Sequence, residues 1–406
     1  MLVKLFLKMY YDVSTLDIVA FLCIAGWLFM MFVHLVAIIY GKIHLYSWGN
    51  STNLDELPGV TILKPVVGDD ANSYKNFQSF FELEYPKYEI LFCFQNDHDP
   101  AIATIEKLLG AYPKADAKIF RCALNVGVNP KVNNMMQGYN VAKYNLIWIS
   151  DSSLKVTPNT LQEMVSHMKQ KVAVVHQLPF ITNGDGFGES LEKVYFGTQH
   201  ARVYLFTNCM QLQCVNGMSS LINKTALEEI GGLRSLSDYI AEDYYMCKEF
   251  YKRGYKLVLS TLPALQNPEV RTVAKFRDRM VRWTRLRLTM EPFPQCLEPL
   301  TECFVIGLCM ALAVNYFTNR SIIFSFAQHC LIWFVSDQIL LRIVQGPNGP
   351  LPSLLRRSLV WLFRETCTYF LYLQGLFGRS VAWRTRKFKL SVGGKAKAVN
   401  HNSYND

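Results

Sequence analysis

The chain has 406 residues, a formal net charge of +10 at pH 7, and half of its residues are hydrophobic. That length allows one sizeable domain with appendages, and the apolar share is high for a wholly soluble enzyme. The charge raises nucleic acid as a partner, but no nucleic-acid motif is present, and eleven cysteines without a Cys-x-x-Cys pair or histidines at metal spacing exclude a disulfide scaffold or zinc site and suit reduced thiols facing the cytosol.

Residues 1–17 form a flank. From Ile18 to Tyr40 only His34 is strongly polar, a length that crosses a ~30 Å hydrocarbon core. Trp27, Phe29, Met30, Met31 and Phe32 fill the centre, where a cleaved signal would have a shorter apolar core and small residues. The stretch is read as an uncleaved anchor.

Residues 57–294 differ. Short apolar runs, "VTILKPV", "YEILFCF", "NLIWIS", "VAVVHQL" and "YKLVLS", alternate with helical-looking stretches. That alternation predicts an α/β domain with a mainly parallel sheet. The third run stops on Asp151, and the carboxyl ends of strands are where open α/β sheets bind ligands. The plain alternative is a solvated Asx turn. In "QNDHDPAI", Asp97, His98 and Asp99 follow the second run, and Asp99 before Pro100 can equally cap a helix. "IAEDYYM" sets Glu242 and Asp243 at a helix start, where acids also suit the helix dipole. The segment Tyr204–Val215, with Asn208, Gln211 and Gln213, is too polar to span a membrane but suits a helix at its surface. In "RMVRW", Arg279, Arg282 and Trp283 sit at i, i+3 and i+4 and share one helix face. An interfacial helix near 274–290, meeting lipid phosphate, reads the same residues without chemistry.

Beyond Cys303 the blocks 303–317, 322–344 and 358–377 predict two or three membrane helices over 303–378. The last carries Arg364 and Glu365, an expensive pair in lipid unless they face protein or water. Residues 379–406 form a basic tail, read as disordered from Gly393. Basic residues beside the apolar blocks, Arg271 to Arg287 and Arg379 to Lys397, suit anionic lipid or a phosphate-bearing ligand. The same residues favour a cytosolic domain and tail. A cytosolic tail requires an even number of late crossings, whereas three blocks give an odd one.

The order of these motifs resembles the family-2 glycosyltransferases, which have a GT-A (Rossmann-like) fold: an Asp after the second strand, an Asp-x-Asp-like site, a Glu-Asp pair and a final Arg-x-x-Arg-Trp. Within that family the chain is most similar to the ceramide glucosyltransferases, through "PKYEI", "YPKADA", "NPKVNN", "VYFGTQHAR", "YIAEDY" and "RMVRWTRLR". The likeness extends over nearly the whole chain. It implies transfer of glucose from UDP-glucose to the primary hydroxyl of ceramide with inversion. It further implies a multi-pass Golgi membrane protein whose catalytic domain faces the cytosol. Carried over residue by residue, it implies that Asp243 is the general base, with Glu242 beside it. Asp99, with Asp97, would hold the uridine portion, and Lys131 and Asp151 would serve the donor. Asp151 would also be the ligand of Mg²⁺ or Mn²⁺. Arg279 and Arg282 would bind the diphosphate, with Trp283 packed by donor or acceptor. His200 and Cys214 fall where that family carries His and Cys near the active site, although a buried histidine and an apolar filler are the commoner readings of each.

The chain departs from the pattern twice. It has Asp151-Ser152-Ser153 where Asp-x-Asp is typical, and His98 where an Asp is expected. Two other functions share the motifs: a processive polysaccharide synthase, which carries more membrane helices, and a nucleotide-sugar-binding protein without activity. Donor-sugar selection, ceramide chain preference, oligomeric state and regulation are not legible in the sequence.

Overall fold

The computed structural model describes residues 13–48, 57–182, 184, 186–378, 380–383 and 386–399. In chain order the first ten strands are β1 (Val60–Val66), β2 (Tyr88–Phe94), β3 (Ala117–Phe120), β4 (Leu146–Ser150), β5 (Leu154–Lys155), β6 (Val172–His176), β7 (Pro179–Ile181), β8 (Ser219–Asn223), β9 (Lys256–Leu259) and β10 (Ala264–Gln266). Seven make one sheet in the order β3-β2-β1-β4-β8-β6-β9. β8 alone runs antiparallel to its neighbours, β4 and β6. The five apolar runs of the sequence are β1, β2, β4, β6 and β9 of this sheet.

Both faces are covered, which explains the near-continuous apolar runs. Val60, Ile62, Phe92 and Trp148 pack one way, against helices Ser73–Phe81 and Ala101–Ala111. Leu63, Leu91, Ile147 and Ile149 pack the other way, onto Met135, Tyr139 and Phe250. Each such side chain contributes about 1.5–3 kcal/mol of burial. The carboxyl ends of β1, β2 and β4 fall on one edge, and antiparallel β8 begins there, Ser219 opposite Ser150.

The anchor is helix Thr15–His44, longer at both ends than 18–40. Ser14 and Asp17 form a capping box at its start, and 30 residues reach about 45 Å at 1.5 Å each. It packs on helices Ala201–Cys209, Cys303–Thr318 and Ile322–Gln345. Thr15–His44 and Ile322–Gln345 are long and apolar enough to cross a membrane, and Cys303–Thr318 forms a pair, bent by 67°, with Pro292–Thr301. The surface helix expected within 204–215 is instead Ala201–Cys209, tucked against the anchor, with Asn208 donating to the Tyr40 hydroxyl.

Charge buried among these helices is paired. The Asp337 carboxylate lies 3.0 Å from His34 Nε2 and 3.3 Å from Arg202 Nη1, and accepts from Trp361 Nε1 at 2.9 Å. Arg364, from helix Leu354–Leu376, donates to Gln199 at 2.6 Å and pairs with Glu302 at 3.4 Å and with Glu365. The pair that would be costly in lipid therefore faces protein. Removing one partner of a buried ion pair strands the other charge and costs about 3–5 kcal/mol. Asp337→Ala is accordingly expected to lower the thermal midpoint of the detergent-purified protein sharply, and an unshifted midpoint would contradict the pairing.

Residues 396–398 correct the expectation of disorder from Gly393 on. β11 (Ser380–Trp383), β12 (Arg386–Leu390) and β13 (Ala396–Ala398) form an antiparallel sheet, while residues 400–406 lie outside those described. Phe388, Leu390 and Ala396 pack with Ile240 and Leu286. Tyr245 donates to the Gly393 carbonyl at 2.6 Å, and the Ala396 amide to Asp238 at 3.0 Å. The tail and the α/β domain thus lie on one side of any bilayer the helices cross. Any crossings made by the helices between them would therefore be even in number.

Candidate active site

Asp151 is the first residue beyond β4, and its amide donates to Met218 at 2.9 Å, drawing in the chain that leads to β8. Lys64, on β1 and fully buried, donates to the Asp151 carbonyl at 2.9 Å and lies 3.6 Å from the centre of the Phe80 ring. Burial drives its pKa well below the ordinary lysine value, against the pull of Asp151.

Asn129 caps helix Pro130–Val141 by accepting from the amides of Lys131 and Val132. That cap fixes Lys131 at the same sheet edge. Its ammonium lies 3.0 Å from Asp151 Oδ1 and 3.2 Å from Glu242 Oε1, and donates to the Gly217 carbonyl at 2.6 Å. Three donors meet three acceptors, the full capacity of an ammonium. Burial opposes the charge, but Asp151, Glu242 and Asp243 outweigh it and hold the lysine protonated. Glu242 also accepts from Asn129 Nδ2 at 2.9 Å.

Asp243, the second residue of helix Glu242–Lys252, accepts from the Tyr244 amide at 2.8 Å. Gly217 is packed so closely that a Cβ there would sit 3.0 Å from Asp243 Oδ2. Burial first, then the neighbouring Glu242 and the more distant Asp151, push the Asp243 carboxyl up to about 6, against Lys131 and the Tyr244 amide. A carboxylate so tuned accepts a proton near neutral pH. Asp151, Glu242 and Asp243 share one ammonium, which leaves surplus negative charge at the sheet edge. Among the described residues no three His, Cys, Asp or Glu side chains are gathered as a metal site.

The basic segment is helix Val273–Met290, capped by Thr272. Arg279 lies 3.1 Å from Glu192 and 5.7 Å from the centre of the Phe196 ring, while Arg282 is half-buried. Trp283 packs against Phe196 at 6.3 Å and His200 at 6.0 Å. His200 stacks on Tyr204 at 4.3 Å, and burial, with Arg287 and Arg279, lowers its pKa to about 3. It is thus a neutral ring in a wall, the commoner reading of a lone histidine. Cys214 interacts with Tyr204 and Thr207, and burial raises its thiol to about 11. A thiol at that value is no nucleophile at neutral pH.

The acids after β2 keep to their loop. Asp99 accepts from Gly68 N at 2.8 Å and from Ala101 N at 3.0 Å, so it acts as a cap and ties the loops after β1 and β2 together. Asp97, largely exposed, lies 3.2 Å from His98. The structure therefore joins Lys131, Asp151 and Glu242 by direct contact, with Asp243 next to Glu242 in the chain and feeling the charge of all three. Arg279, Trp283 and His200 gather around Phe196 as a second, aromatic group, with Tyr204 stacked on His200. Sequence reasoning missed Asn129, Gly217 and Tyr204. An asparagine before "PK" is an N-cap signal that could have revealed the first.

A family model described as glycosyl transferase family 21 matches residues 29–396. The chain belongs to that family. The similarity to family-2 patterns concerns motif order; the matched family is numbered 21. Among curated relatives, "Ceramide glucosyltransferase 3" of Caenorhabditis elegans is 40% identical over 388 residues, covering 94% of this chain and 84% of the relative. "Ceramide glucosyltransferase 1" of the same organism is 39% identical over 386 residues, covering 94% and 82%. "Ceramide glucosyltransferase" of Komagataella phaffii is 27% identical over 427 residues, covering 83% of each. Among solved structures, the mannosyltransferase PcManGT of Pyrobaculum calidifontis, in complex with GDP-Man and Mn²⁺, aligns at TM-score 0.48 and 12% identity, covering 88% of this chain and 97% of that one. The family assignment rests on the sequence match and not on that distant likeness.

Proposed function

We propose that this family-21 glycosyltransferase transfers glucose from UDP-glucose to the primary hydroxyl of ceramide, with inversion, at the membrane surface. The observation that carries the reading is Asp243, its carboxyl tuned to about 6 within the Asp151–Lys131–Glu242 cluster. Asp243 takes the proton of the acceptor hydroxyl as its oxygen bonds to the anomeric carbon. The bond from that carbon to the phosphate oxygen breaks in the same displacement, and UDP leaves with the electron pair. One displacement turns the α-linked donor into a β-glycoside.

Lys131 holds Asp151 and Glu242 in register for the donor. Arg279 and Arg282, one turn apart, serve the diphosphate through charge-assisted hydrogen bonds, and Trp283 closes the side toward the acceptor. Asp97 and Asp99 frame the uridine portion, Asp99 by holding the loop at Gly68. Mg²⁺ or Mn²⁺ would suit the negative charge of the cluster, and Asp151 would hold the ion. When bound it neutralises charge developing on the leaving diphosphate.

Ceramide stays in the bilayer, so the enzyme must meet it there. Taken as one broken span, the bent pair Pro292–Thr301 and Cys303–Thr318 crosses outward and helix Ile322–Gln345 crosses back, which satisfies the even count that the folded tail requires. Helix Leu354–Leu376 then lies along the surface, and the domain faces the cytosol from a Golgi membrane. Detergent-purified protein with UDP-glucose, a short-chain ceramide and Mn²⁺ or Mg²⁺ is expected to yield β-glucosylceramide, and less after chelation. No product under any of these conditions would remove the reading.

A further inference from the structure

The turn Gly393–Gly394 of the tail sits between the two helices that carry the proposed chemistry. On one side, helix Val273–Met290, with Arg279, Arg282 and Trp283, holds the tail along its last turns. Arg285 donates to the Ser380 carbonyl at 2.9 Å, Leu286 packs with Phe388 and Leu390, and the Gly393 amide donates to the Thr289 carbonyl at 3.3 Å. On the other side, the same turn meets the segment that opens helix Glu242–Lys252. The Tyr245 hydroxyl donates to the Gly393 carbonyl at 2.6 Å, the Ala396 amide donates to the Asp238 carbonyl at 3.0 Å, and Tyr239 bridges to Lys395. Gly393 is thus bonded through its amide to the arginine helix and through its carbonyl to the helix of Asp243.

The junction needs glycine. Gly393 and Gly394 have φ of 83° and 76°, where L side chains are strained, and a Cβ at Gly394 would collide with the Tyr245 hydroxyl. From the opposite face, Asn129 Nδ2 donates to the Tyr239 carbonyl at 2.7 Å and to Glu242 at 2.9 Å. The segment bearing Glu242 and Asp243 is therefore held between the cap of helix Pro130–Val141 and the tail. The two helices also meet at an exposed rim, where Glu291 accepts from Tyr244 and pairs with Lys248 at 3.2 Å. An exposed pair holds two helices weakly, so their alignment falls to the buried side, where Ile240 and Leu286 pack with Phe388, Leu390 and Ala396.

We propose that Tyr245 and the Gly393–Gly394 turn are positioning residues for the transfer, setting the helix of Asp243 against the helix of Arg279 and Arg282. This rests on the base and diphosphate roles proposed above, and adds that the spacing between them is set by the tail. Base and leaving-group clamp must both align on one anomeric carbon, and a misplacement of about 1 Å can cost ~100-fold in rate.

The test uses full-length protein in detergent, with every rate normalised to the UDP-glucose sites titrated in the same preparation. Tyr245→Phe keeps the ring stacked on Tyr239 at 3.9 Å and removes the bond to Gly393. It is expected to lower kcat about fivefold, the worth of one hydrogen bond. Gly394→Ala drives the turn off Tyr245 and is expected to lower kcat about 10–100-fold. In both variants the UDP-glucose KM should stay within about twofold.

The acid limb of activity separates positioning from a general loss of folded enzyme. Asp243 is faced by Glu242 and Cys247 on its own helix and by Lys131, Asp151, Tyr204 and Cys214 from other elements, and burial is the largest influence raising it. A loosened segment admits water, the carboxyl falls toward its ordinary value, and the limb moves to lower pH. Hydrogen exchange should quicken at residues 238–245 in both variants and stay unchanged along β1, β2 and β4. An unchanged kcat and limb in folded Gly394→Ala protein overturns the proposal, as does a loss that disappears on normalisation. Should Gly394→Ala fail to fold, Tyr245→Phe decides alone. Should wild type form no glucosylceramide, the functional reading falls, and exchange at 238–245 decides whether the turn braces this segment.

Discussion

Asp243→Asn is expected to lower kcat by about 10²–10⁴-fold, the range for loss of a positioned general base, with UDP-glucose affinity nearly unchanged. The substitution keeps the shape of the side chain against Gly217 and its bond from the Tyr244 amide, so a loss of activity reports chemistry and not collapse. The pH dependence has a definite sign. A base works only when deprotonated, and the folded carboxyl is held up to about 6. Wild-type activity should therefore be full well above pH 6 and fall about tenfold per unit below it. That acid limb should be missing from whatever activity the Asn variant retains. A variant with more than a tenth of wild-type kcat would assign the proton transfer to another group.

Lys131→Met is expected to have the second large effect, and on two observables. Among the described residues the ammonium pairs with both Asp151 and Glu242, and breaking a buried pair costs about 3–5 kcal/mol. The thermal midpoint should drop accordingly. Lys131 also pulls the Asp243 carboxyl down from where burial and Glu242 would put it. Without the lysine that carboxyl holds its proton more tightly, so the acid limb of activity should move to higher pH. Lys131→Arg restores the charge and should recover part of both losses. A Met variant with the wild-type midpoint and an unmoved acid limb would show that the cluster does not depend on this cation.

Much of the sheet was legible because strands buried on both faces must be continuously apolar, as the runs of β1, β2 and β4 are. The polar residue that stops each run then had to fall at the sheet edge, which is why Asp151 could be singled out. The contacts of Lys131 were not legible, since its partners lie 20 and 111 residues away and only the fold brings them together. His200 and Cys214 were visible as residue types, but their protonation depends on burial, which a single sequence does not report. Disorder was expected only from Gly393 on, where the composition is small, polar and basic, and β13 is the part of that stretch which folds, pairing with Phe388, Lys389 and Leu390 of β12. Gly393 and Gly394, at φ of 83° and 76°, make the turn that returns the chain to β13. A Gly-Gly pair between alternating runs is a hairpin signal, and here it was outweighed by net charge.

The folded tail bears on how the protein is made. Domains generally fold as synthesis proceeds from the amino terminus, yet the segment Asp238–Tyr245, which carries Glu242 and Asp243 at the start of their helix, is clasped by Gly393 and Ala396. While those residues are still inside the ribosome, the nascent chain holds its sheet and donor loops but lacks the brace over its acidic segment. Synthesis must pass the membrane helices before the residues that brace this acidic segment emerge.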